Sequence, residues 1–168
     1  MLVGESFAGE AETAGIPAGD NLGIHLALEQ AAAGAVLCVA SGGRGLYGVI
    51  GELMVEAARA RGLAAVVVDD GVRDIERLSP PPAIAGLRVA SHGTVKRRPG
   101  VRGAPIGVDG VLVRPGDWIV GDGNGVCVLP AERVDEIIAS ARAREAREDG
   151  NREEIRGGIP TTQVFGLH

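Results

Sequence analysis

Apolar residues in the first half of the chain fall into short continuous runs that alternate with longer amphipathic segments. Residues 35–40 and 64–69 are almost entirely apolar, which is typical of buried strands. Residues 21–33 and 50–61 have helix-forming composition, and a glycine follows each of them, as is common after a helix. The order strand, helix, strand with short connections predicts a parallel βαβ unit.

The second half of the chain has shorter apolar runs separated by turn signals. Residues 111–113, 118–120 and 126–129 predict strands, and Asp, Gly, Asn and Pro dominate the segments between them. Residues 122–125 resemble a hairpin loop. The three consecutive prolines at 80–82 interrupt regular structure before this half begins.

The clearest helix is predicted over residues 131–148. Its apolar residues form one stripe at i, i+3, i+4 and i+7: Val134, Ile137, Ile138 and Ala141. We expect this stripe to dock on the helix's own domain. Residues 142–154 are almost entirely charged, so this tail either frays in solvent or reaches a neighbouring subunit.

These elements predict an α/β fold that contains a mixed sheet, flanking helices and a long C-terminal helix. We expect one domain over residues 1–150 and a C-terminal tail over residues 151–168.

Composition excludes several classes of protein. The net charge is −5 and only four residues are aromatic, whereas nucleic-acid binding relies on a basic face and often on stacking aromatic rings, so we expect no nucleic-acid partner. No apolar run approaches 18 residues and no basic segment precedes an apolar one at the start, so we expect no membrane partner and a cytoplasmic location. Cys38 and Cys127 lie in apolar runs and are predicted to be buried, reduced thiols.

The strongest candidate chemistry follows the second strand, in residues 69–76. The chain is expected to turn on Gly71 and to present Arg73 and Asp74 side by side. The planar guanidinium of arginine suits a carboxylate or an enolate oxygen, and aspartate is an oxygen ligand of the kind that Mg²⁺ prefers. An Arg–Asp ion pair that caps a short helix explains the same residues equally well.

A second candidate is the helix start at residues 51–54, which follows the glycine-rich residues 41–45. The free N–H groups of such a helix start favour an anion, and Glu52 adds a carboxylate. The alternative is ordinary loop structure with Glu52 favourably placed in a first helical turn. The segment is neither a P-loop, since no Gly-Lys-Ser/Thr follows, nor a complete G-x-G-x-x-G motif.

The remaining candidates carry weaker signals. We expect His25 to be a partly buried histidine with satisfied hydrogen bonds, and His92 has no His or Cys partner at zinc-ligand spacing. Lys96 opens a basic loop at residues 96–102, which is expected to be solvated, although one of its cations could meet an acidic substrate. Because no nucleophile motif and no lysine within an apolar run is present, a metal-assisted mechanism is favoured over a covalent one.

Five segments occur in an order and spacing that resembles the RraA-like family: residues 19–21, 51–53, 70–74, 114–117 and 121–126. That family includes 4-hydroxy-4-methyl-2-oxoglutarate and 4-carboxy-4-hydroxy-2-oxoadipate aldolases and the proteins named regulator of ribonuclease activity A. The resemblance extends over residues 2–154 and is poor at residues 8–18. Family members generally carry a few dozen residues ahead of the segment that matches residues 2–7, and this chain is expected to lack them.

The resemblance implies a swivelling β/β/α fold that assembles as a homotrimer or a dimer of trimers, with active sites between subunits. It implies a lyase that uses Mg²⁺ (or Mn²⁺) to cleave a small 4-hydroxy-2-oxo acid to pyruvate, with oxaloacetate decarboxylase activity. Both reactions pass through a pyruvate enolate, so one site can catalyse both. The alternative is a non-catalytic regulatory protein that binds a ribonuclease or another protein partner.

The resemblance also assigns roles to individual residues. Asp74 is implied as the metal ligand, and Arg73 as the residue that stabilises the enolate. The backbone N–H groups of Leu53 and Met54 would hold the substrate carboxylate, and Glu52 would bind waters on the metal.

Three further positions are carried over in the same way. Gly51 would lie against the substrate, and Lys96 matches a family lysine near the site. An acidic residue from the neighbouring subunit's C-terminal helix is expected to complete the site; Glu148 fits this role best, and Glu145 is the second choice.

Overall fold

The computed structural model describes residues 1–167. The strands are β1 (Leu2–Val3), β2 (Phe7–Gly15), β3 (Val36–Ala40), β4 (Gly48–Ile50), β5 (Ala65–Val72), β6 (Ala83–Val89), β7 (Val101–Arg102), β8 (Ile106–Val108), β9 (Val111–Val113), β10 (Trp118–Asp122) and β11 (Gly125–Leu129). The α-helices are α1 (Leu22–Gln30), α2 (Glu52–Ala60), α3 (Val134–Arg156) and α4 (Thr161–Val164).

One mixed sheet organises the first part of the chain. Its strand order is β1-β6-β5-β3-β2-β10-β11, with β4 beside β5 and β7 beside β2, while β8 and β9 form a separate hairpin. Strands β2, β3, β5 and β6 are parallel neighbours, and β1, β7, β10 and β11 pair antiparallel. The predicted mixed sheet is therefore confirmed, as is the hairpin at residues 122–125.

The predicted βαβ unit is β3, α2 and β5. The two strands pair in parallel from Val36 beside Ala65 to Val39 beside Val68. Alternate residues of β3 enter two different aliphatic clusters: Leu37 joins the cluster that contains residues of α1 and α2, and Val36 joins the one on the other face. Both faces of this strand are thus buried, which explains why its sequence is continuously apolar.

Strand β5 is longer than predicted, and the expected turn on Gly71 is wrong. The strand continues to Val72, with Asp70 fully buried inside it. The carboxylate of Asp70 is tolerated there because it accepts hydrogen bonds from the Ser41 hydroxyl and from the backbone N–H groups of Tyr47 and Gly71. Glycine at position 71 permits close packing, since a Cβ there would lie 2.7 Å from the Tyr47 carbonyl oxygen.

The C-terminal helix also differs from its prediction. A 3₁₀ turn at Ala131–Arg133 precedes α3, which then continues to Arg156. No residue of α3 is buried, and Ile138 is 40% exposed, so the prediction that the apolar stripe is buried is wrong. The chain forms two compact units, Met1–Ala131 and a second that begins at Glu132. The division into a domain over residues 1–150 and a tail stays a prediction.

The two cysteines have different environments. Cys38 is buried in β3, and burial raises the pKa of its thiol to about 12, with a further contribution from the Asp117 carboxylate. Cys127 is exposed, which contradicts its predicted burial, because β11 is the outermost strand of the sheet. Within residues 1–167 no helix has the length and apolarity needed to cross a membrane.

Candidate active site

A pocket of about 300 Å³ lies where the starts of α1 and α2 meet the end of β5. It brings together all the predicted site residues of the first compact unit, together with residues that the sequence did not single out. Its lining consists of Asn21, His25, Gly48, Val49, Gly51, Glu52, Leu53, Met54, Arg73, Asp74, Arg77 and Lys96.

Strand β4 brings the two predicted motifs together. It pairs in parallel with the end of β5, and the Arg73 N–H donates to the Ile50 carbonyl oxygen at 2.9 Å. Helix α2 starts directly after this strand, so its first residues lie beside Arg73 and Asp74. Glu52 and Asp74, which are 22 positions apart in the sequence, are thereby brought into one site.

Asp74 is the centre of the polar contacts in this pocket. Its Oδ2 accepts a hydrogen bond from the Glu52 N–H at 3.2 Å and lies 3.5 Å from Nε of Arg73. Both contacts use Oδ2, and in the described part of the chain Oδ1 makes no hydrogen bond. The alternative explanation of this pair is confirmed in its ion pair and in the short helix that follows, a 3₁₀ turn at Ile75–Arg77, but it is wrong in the cap, because the Asp74 side chain makes no capping hydrogen bond.

The backbone of Asp74 is strained. Its φ is +59° and its ψ is 31°, a left-handed conformation that costs a non-glycine residue energy, on the order of 1–3 kcal/mol. Such conformations persist where the surroundings impose them, and they concentrate at ligand and catalytic sites. The strain supports a functional role for the direction in which this carboxylate points.

Gly51 is required by the close approach of these side chains. A Cβ at this position would lie 2.6 Å from Oδ2 of Asp74 and 2.8 Å from Nε of Arg73. The φ of Gly51 is −147°, which any residue adopts, so the requirement arises from contacts alone.

We therefore expect Gly51→Ala to displace Arg73 and Asp74 and to lower kcat on the order of 10²-fold, the usual penalty for misplacing catalytic groups by about 1 Å. Steady-state kinetics of the pyruvate release that the family resemblance implies check this expectation. Gly107→Ala is the matched control, because a Cβ at Gly107 meets nothing within 4 Å. Wild-type kinetics in Gly51→Ala would contradict the tight geometry.

The start of α2 offers fewer free N–H groups than predicted. The Met54 N–H donates to the Gly51 carbonyl oxygen at 3.0 Å, and the Glu52 N–H is taken by Asp74. The N–H of Leu53 has no acceptor within residues 1–167, and its side chain is 82% exposed. Leu53 is therefore the one of the two predicted donors whose N–H has no acceptor in the described part of the chain, and the substrate-binding role of both residues stays a prediction.

Two further cations line the pocket. Arg77 was not identified as a candidate from the sequence. Its Nη1 atom lies 3.2 Å from Oε2 of Glu52. Lys96 is exposed, and its loop is fixed by buried Asp20, whose carboxylate accepts hydrogen bonds from the N–H groups of Arg97 and Arg98. Burial would raise the pKa of Asp20, but these N–H groups and that of Leu22 hold it below its usual value.

Asn21 and His25 form a polar wall of the pocket. Within residues 1–167, Oδ1 of Asn21 and Nε2 of His25 are enclosed and have no hydrogen-bond partner, so the prediction that His25 is satisfied is wrong. Burial lowers the pKa of His25, the charge of Lys96 lowers it further, and Glu29 partly opposes them. The i, i+4 spacing of these two residues was the available sequence signal.

The carboxylates of the pocket fit a magnesium-type site. Among the described residues no group of three or more His, Cys, Asp and Glu side chains is placed to hold a metal ion. Mg²⁺ keeps several waters and is commonly bound by one or two carboxylates plus substrate oxygens. Asp74 and Glu52 match that pattern, whereas a closed all-protein zinc site would need more ligands.

The predicted acidic residues of the C-terminal helix lie in the second compact unit. Glu148 is exposed on α3, where the Arg144 guanidinium donates to it at 2.6 Å. Glu145 is exposed on the same helix.

A second pocket of about 320 Å³ lies among residues of β3, β5, β9 and β11. Its charged lining residues are all acidic: Asp69, Asp109 and Asp122. An anionic substrate would be repelled there, so the pocket that contains Arg73 is the better candidate active site.

A comparison with known protein families shows which family the chain belongs to. A family model described as RraA-like, Aldolase/RraA, matches residues 1–128. The chain belongs to the RraA-like family.

Two curated relatives of this RraA-like chain carry the name "Putative 4-hydroxy-4-methyl-2-oxoglutarate aldolase". One, from Halalkalibacterium halodurans, is 29% identical over 164 residues, which are 96% of this chain and 77% of the relative. Another, from Burkholderia mallei, is 39% identical over 124 residues, which are 73% of this chain and 74% of the relative. These names support an aldolase-type lyase.

Solved structures of the family share the fold. The RNA-processing inhibitor RraA from Thermus thermophilus superposes with a TM-score of 0.70 at 33% identity, covering 76% of this chain and 77% of that one. An unusual member of the RNase ES inhibitor RraA protein family from Streptomyces coelicolor gives a TM-score of 0.78 at 29% identity, covering 90% and 80%. The predicted RraA-type fold is confirmed.

Proposed function

We propose that the chain is a divalent-metal-dependent lyase that cleaves a 4-hydroxy-2-oxo acid to pyruvate and also decarboxylates oxaloacetate. The observation that carries the proposal is the contact of Arg73, Asp74 and Glu52 in one pocket, with Asp74 in a strained conformation. The names of the curated relatives support 4-hydroxy-4-methyl-2-oxoglutarate as the substrate type.

The charge of the pocket supports an anionic substrate. Three cations, Arg73, Arg77 and Lys96, face two carboxylates, Asp74 and Glu52. A divalent ion bound by the two carboxylates would raise the positive excess, which suits a substrate with two carboxylate groups.

The chain's own residues divide the work of the reaction. The Leu53 N–H would donate to the substrate's C1 carboxylate, which the positive end of the α2 dipole also favours. Arg73 directs its N–H groups at the C2 oxygen, where negative charge develops when the C3–C4 bond breaks. Asp74 would ligate the divalent ion, and Glu52 would bind waters on it. When bound, such an ion polarises the C2 carbonyl group.

Metal dependence tests the proposal. Pyruvate release from 4-hydroxy-4-methyl-2-oxoglutarate and from oxaloacetate is measured after chelation and after return of Mg²⁺, Mn²⁺ or Zn²⁺. We expect chelation to abolish both activities and Mg²⁺ or Mn²⁺ to restore them better than Zn²⁺, since the available ligands are oxygens. Full activity in excess chelator would contradict the proposal.

A regulatory role is the second candidate function, because the Thermus thermophilus relative is an RNA-processing inhibitor. A docking protein has no need for Arg73, Asp74 and Glu52 together in a pocket. Two results together would support this second function. The wild-type chain would release no pyruvate under any metal condition, and the Asp74→Ala variant would bind a ribonuclease as tightly as the wild-type chain does.

We propose that the active unit is a homotrimer, or a dimer of trimers, in which Glu148 of one subunit completes the site of its neighbour. The support is α3, a 23-residue helix in which no residue is buried. Mixing inactive Asp74→Ala subunits with inactive Glu148→Ala subunits is expected to restore part of the pyruvate release, because some sites then carry both wild-type residues. A monomeric mass by light scattering, or no recovery in subunits shown to exchange, would contradict this assembly.

A further inference from the structure

Asn21 and His25 lie one helical turn apart at the start of α1 and face the active-site pocket. Asn21 is 5% exposed, and its Nδ2 donates to the Val49 carbonyl oxygen at 3.1 Å and contacts Sδ of Met54 at 3.3 Å. These contacts fix the amide with its Oδ1 as the free end. In the described part of the chain no donor reaches that oxygen.

His25 presents a second unpaired atom on the same wall. Its Nε2 is enclosed and without a partner among residues 1–167. Burial and the positive charge of Lys96 lower the pKa of His25, and Glu29 only partly opposes them, so the neutral ring is favoured. A neutral ring has one nitrogen with a free lone pair, which can take a proton. An enclosed polar atom without a hydrogen-bond partner lowers the stability of the fold. A bound substrate hydroxyl group would supply a hydrogen-bond partner for Nε2.

We propose that His25 is the general base that removes the proton from the 4-hydroxyl group of the substrate, and that Oδ1 of Asn21 then accepts the new Nε2–H. This inference rests on the proposed lyase function. Retro-aldol cleavage needs a general base, and His25 would fill that role. Asn21 directly precedes α1 and His25 lies four residues further on, which places both side chains on one wall of the pocket; Oδ1 of Asn21 and Nε2 of His25 are not hydrogen-bonded to each other in this structure, so the bond would form after proton transfer.

The proton and electron pairs balance without another reactant. Nε2 of His25 takes the hydroxyl proton, the C4–O bond becomes a carbonyl group, and the C3–C4 bond breaks. Its electron pair forms the C2–C3 double bond of the pyruvate enolate, whose charge lies on the C2 oxygen beside Arg73. The imidazolium returns the proton to C3, which completes the methyl group of pyruvate.

Decarboxylation of oxaloacetate needs no such base. The C4 carbon of oxaloacetate is a carboxylate, and loss of CO₂ gives the same enolate without removal of a hydroxyl proton. The proposed role of His25 therefore predicts that its replacement separates the two activities, which a merely structural role would not do.

The test compares both activities in one preparation of His25→Gln with Mg²⁺ present. We expect kcat for cleavage of 4-hydroxy-4-methyl-2-oxoglutarate to fall at least about 10²-fold, the usual contribution of a general base, while kcat for oxaloacetate decarboxylation stays within a few fold. His92→Gln is the control, because the His92 side chain is exposed and its ring packs edge-on against the Tyr47 ring, with the ring centres 5.0 Å apart.

Several results would overturn the inference. Unchanged aldol cleavage would do so, as would an equal fall of both activities in His25→Gln and in a second variant, His25→Asn. So would a wild-type chain that decarboxylates oxaloacetate but cleaves no 4-hydroxy-2-oxo acid. A wild-type chain without either activity contradicts the proposed function itself, which distinguishes the two failures.

Discussion

Asp74→Ala is expected to abolish pyruvate release, at least on the order of 10³-fold in kcat, because it removes the carboxylate that would ligate the divalent ion. Alanine also lacks the tolerance for positive φ that the φ of +59° demands, so some loss of stability is expected with it. Asp74→Asn removes the charge alone, since asparagine adopts this conformation readily and keeps an oxygen that can accept the Glu52 N–H.

The two variants together separate charge from conformation. We expect Asp74→Asn to lose nearly as much activity as Asp74→Ala while its thermal unfolding midpoint stays close to the wild-type value. Asp109→Asn is the matched control, since Asp109 also has a positive φ, 46°, but lies outside the pocket that contains Arg73. Substantial activity in folded Asp74→Asn would mean that the carboxylate charge is not needed.

Arg73→Lys is expected to lower kcat for both reactions at least on the order of 10²-fold. A lysine ammonium is a compact charge and cannot reproduce the planar fork of donors that, in the proposed function, faces the developing enolate oxygen. Because cleavage and decarboxylation share that enolate, we expect both activities to fall together, unlike the separation expected for His25→Gln.

Whether Arg73→Lys changes kcat or KM identifies the role of Arg73. An effect confined to KM would mean that Arg73 holds only the ground-state substrate, and the enolate role would be wrong. Arg88→Lys is a suitable control, because Arg88 lies in β6 and donates to the Arg44 carbonyl oxygen away from the pocket.

The parallel core of the fold was predictable because its signals are local. Residues 36–39 and 65–68 are apolar at every position, and this pattern is what a strand covered on both faces requires. The length of β5 was not predictable in this way. An aspartate at position 70 is typical of a turn. It is tolerated within the strand because hydrogen-bond donors from residues 41–47, which are distant in the sequence, reach its carboxylate.

The sequence predicted those site residues that lie at the end of a strand or at the start of a helix. Arg73 and Asp74 come directly after a strand, and Glu52 opens a helix, so each carried a signal of its own. His25 and Asn21 carried little signal, because their unpaired atoms result from the closure of α1 against neighbouring segments. The free N–H groups at the start of α2 were overestimated, since the sequence does not reveal that Met54 donates to Gly51.

In the proposed function, the Arg73–Asp74 pocket stabilises a pyruvate enolate with the help of a divalent metal ion. Exchange of the pyruvate methyl protons in D₂O, followed by proton NMR, tests this claim without requiring the natural substrate. We predict exchange that needs both the chain and Mg²⁺, stops on chelation, and is lost in Asp74→Asn and Arg73→Lys. Exchange no faster than in protein-free Mg²⁺ solution, or exchange that persists in both variants, would contradict the account.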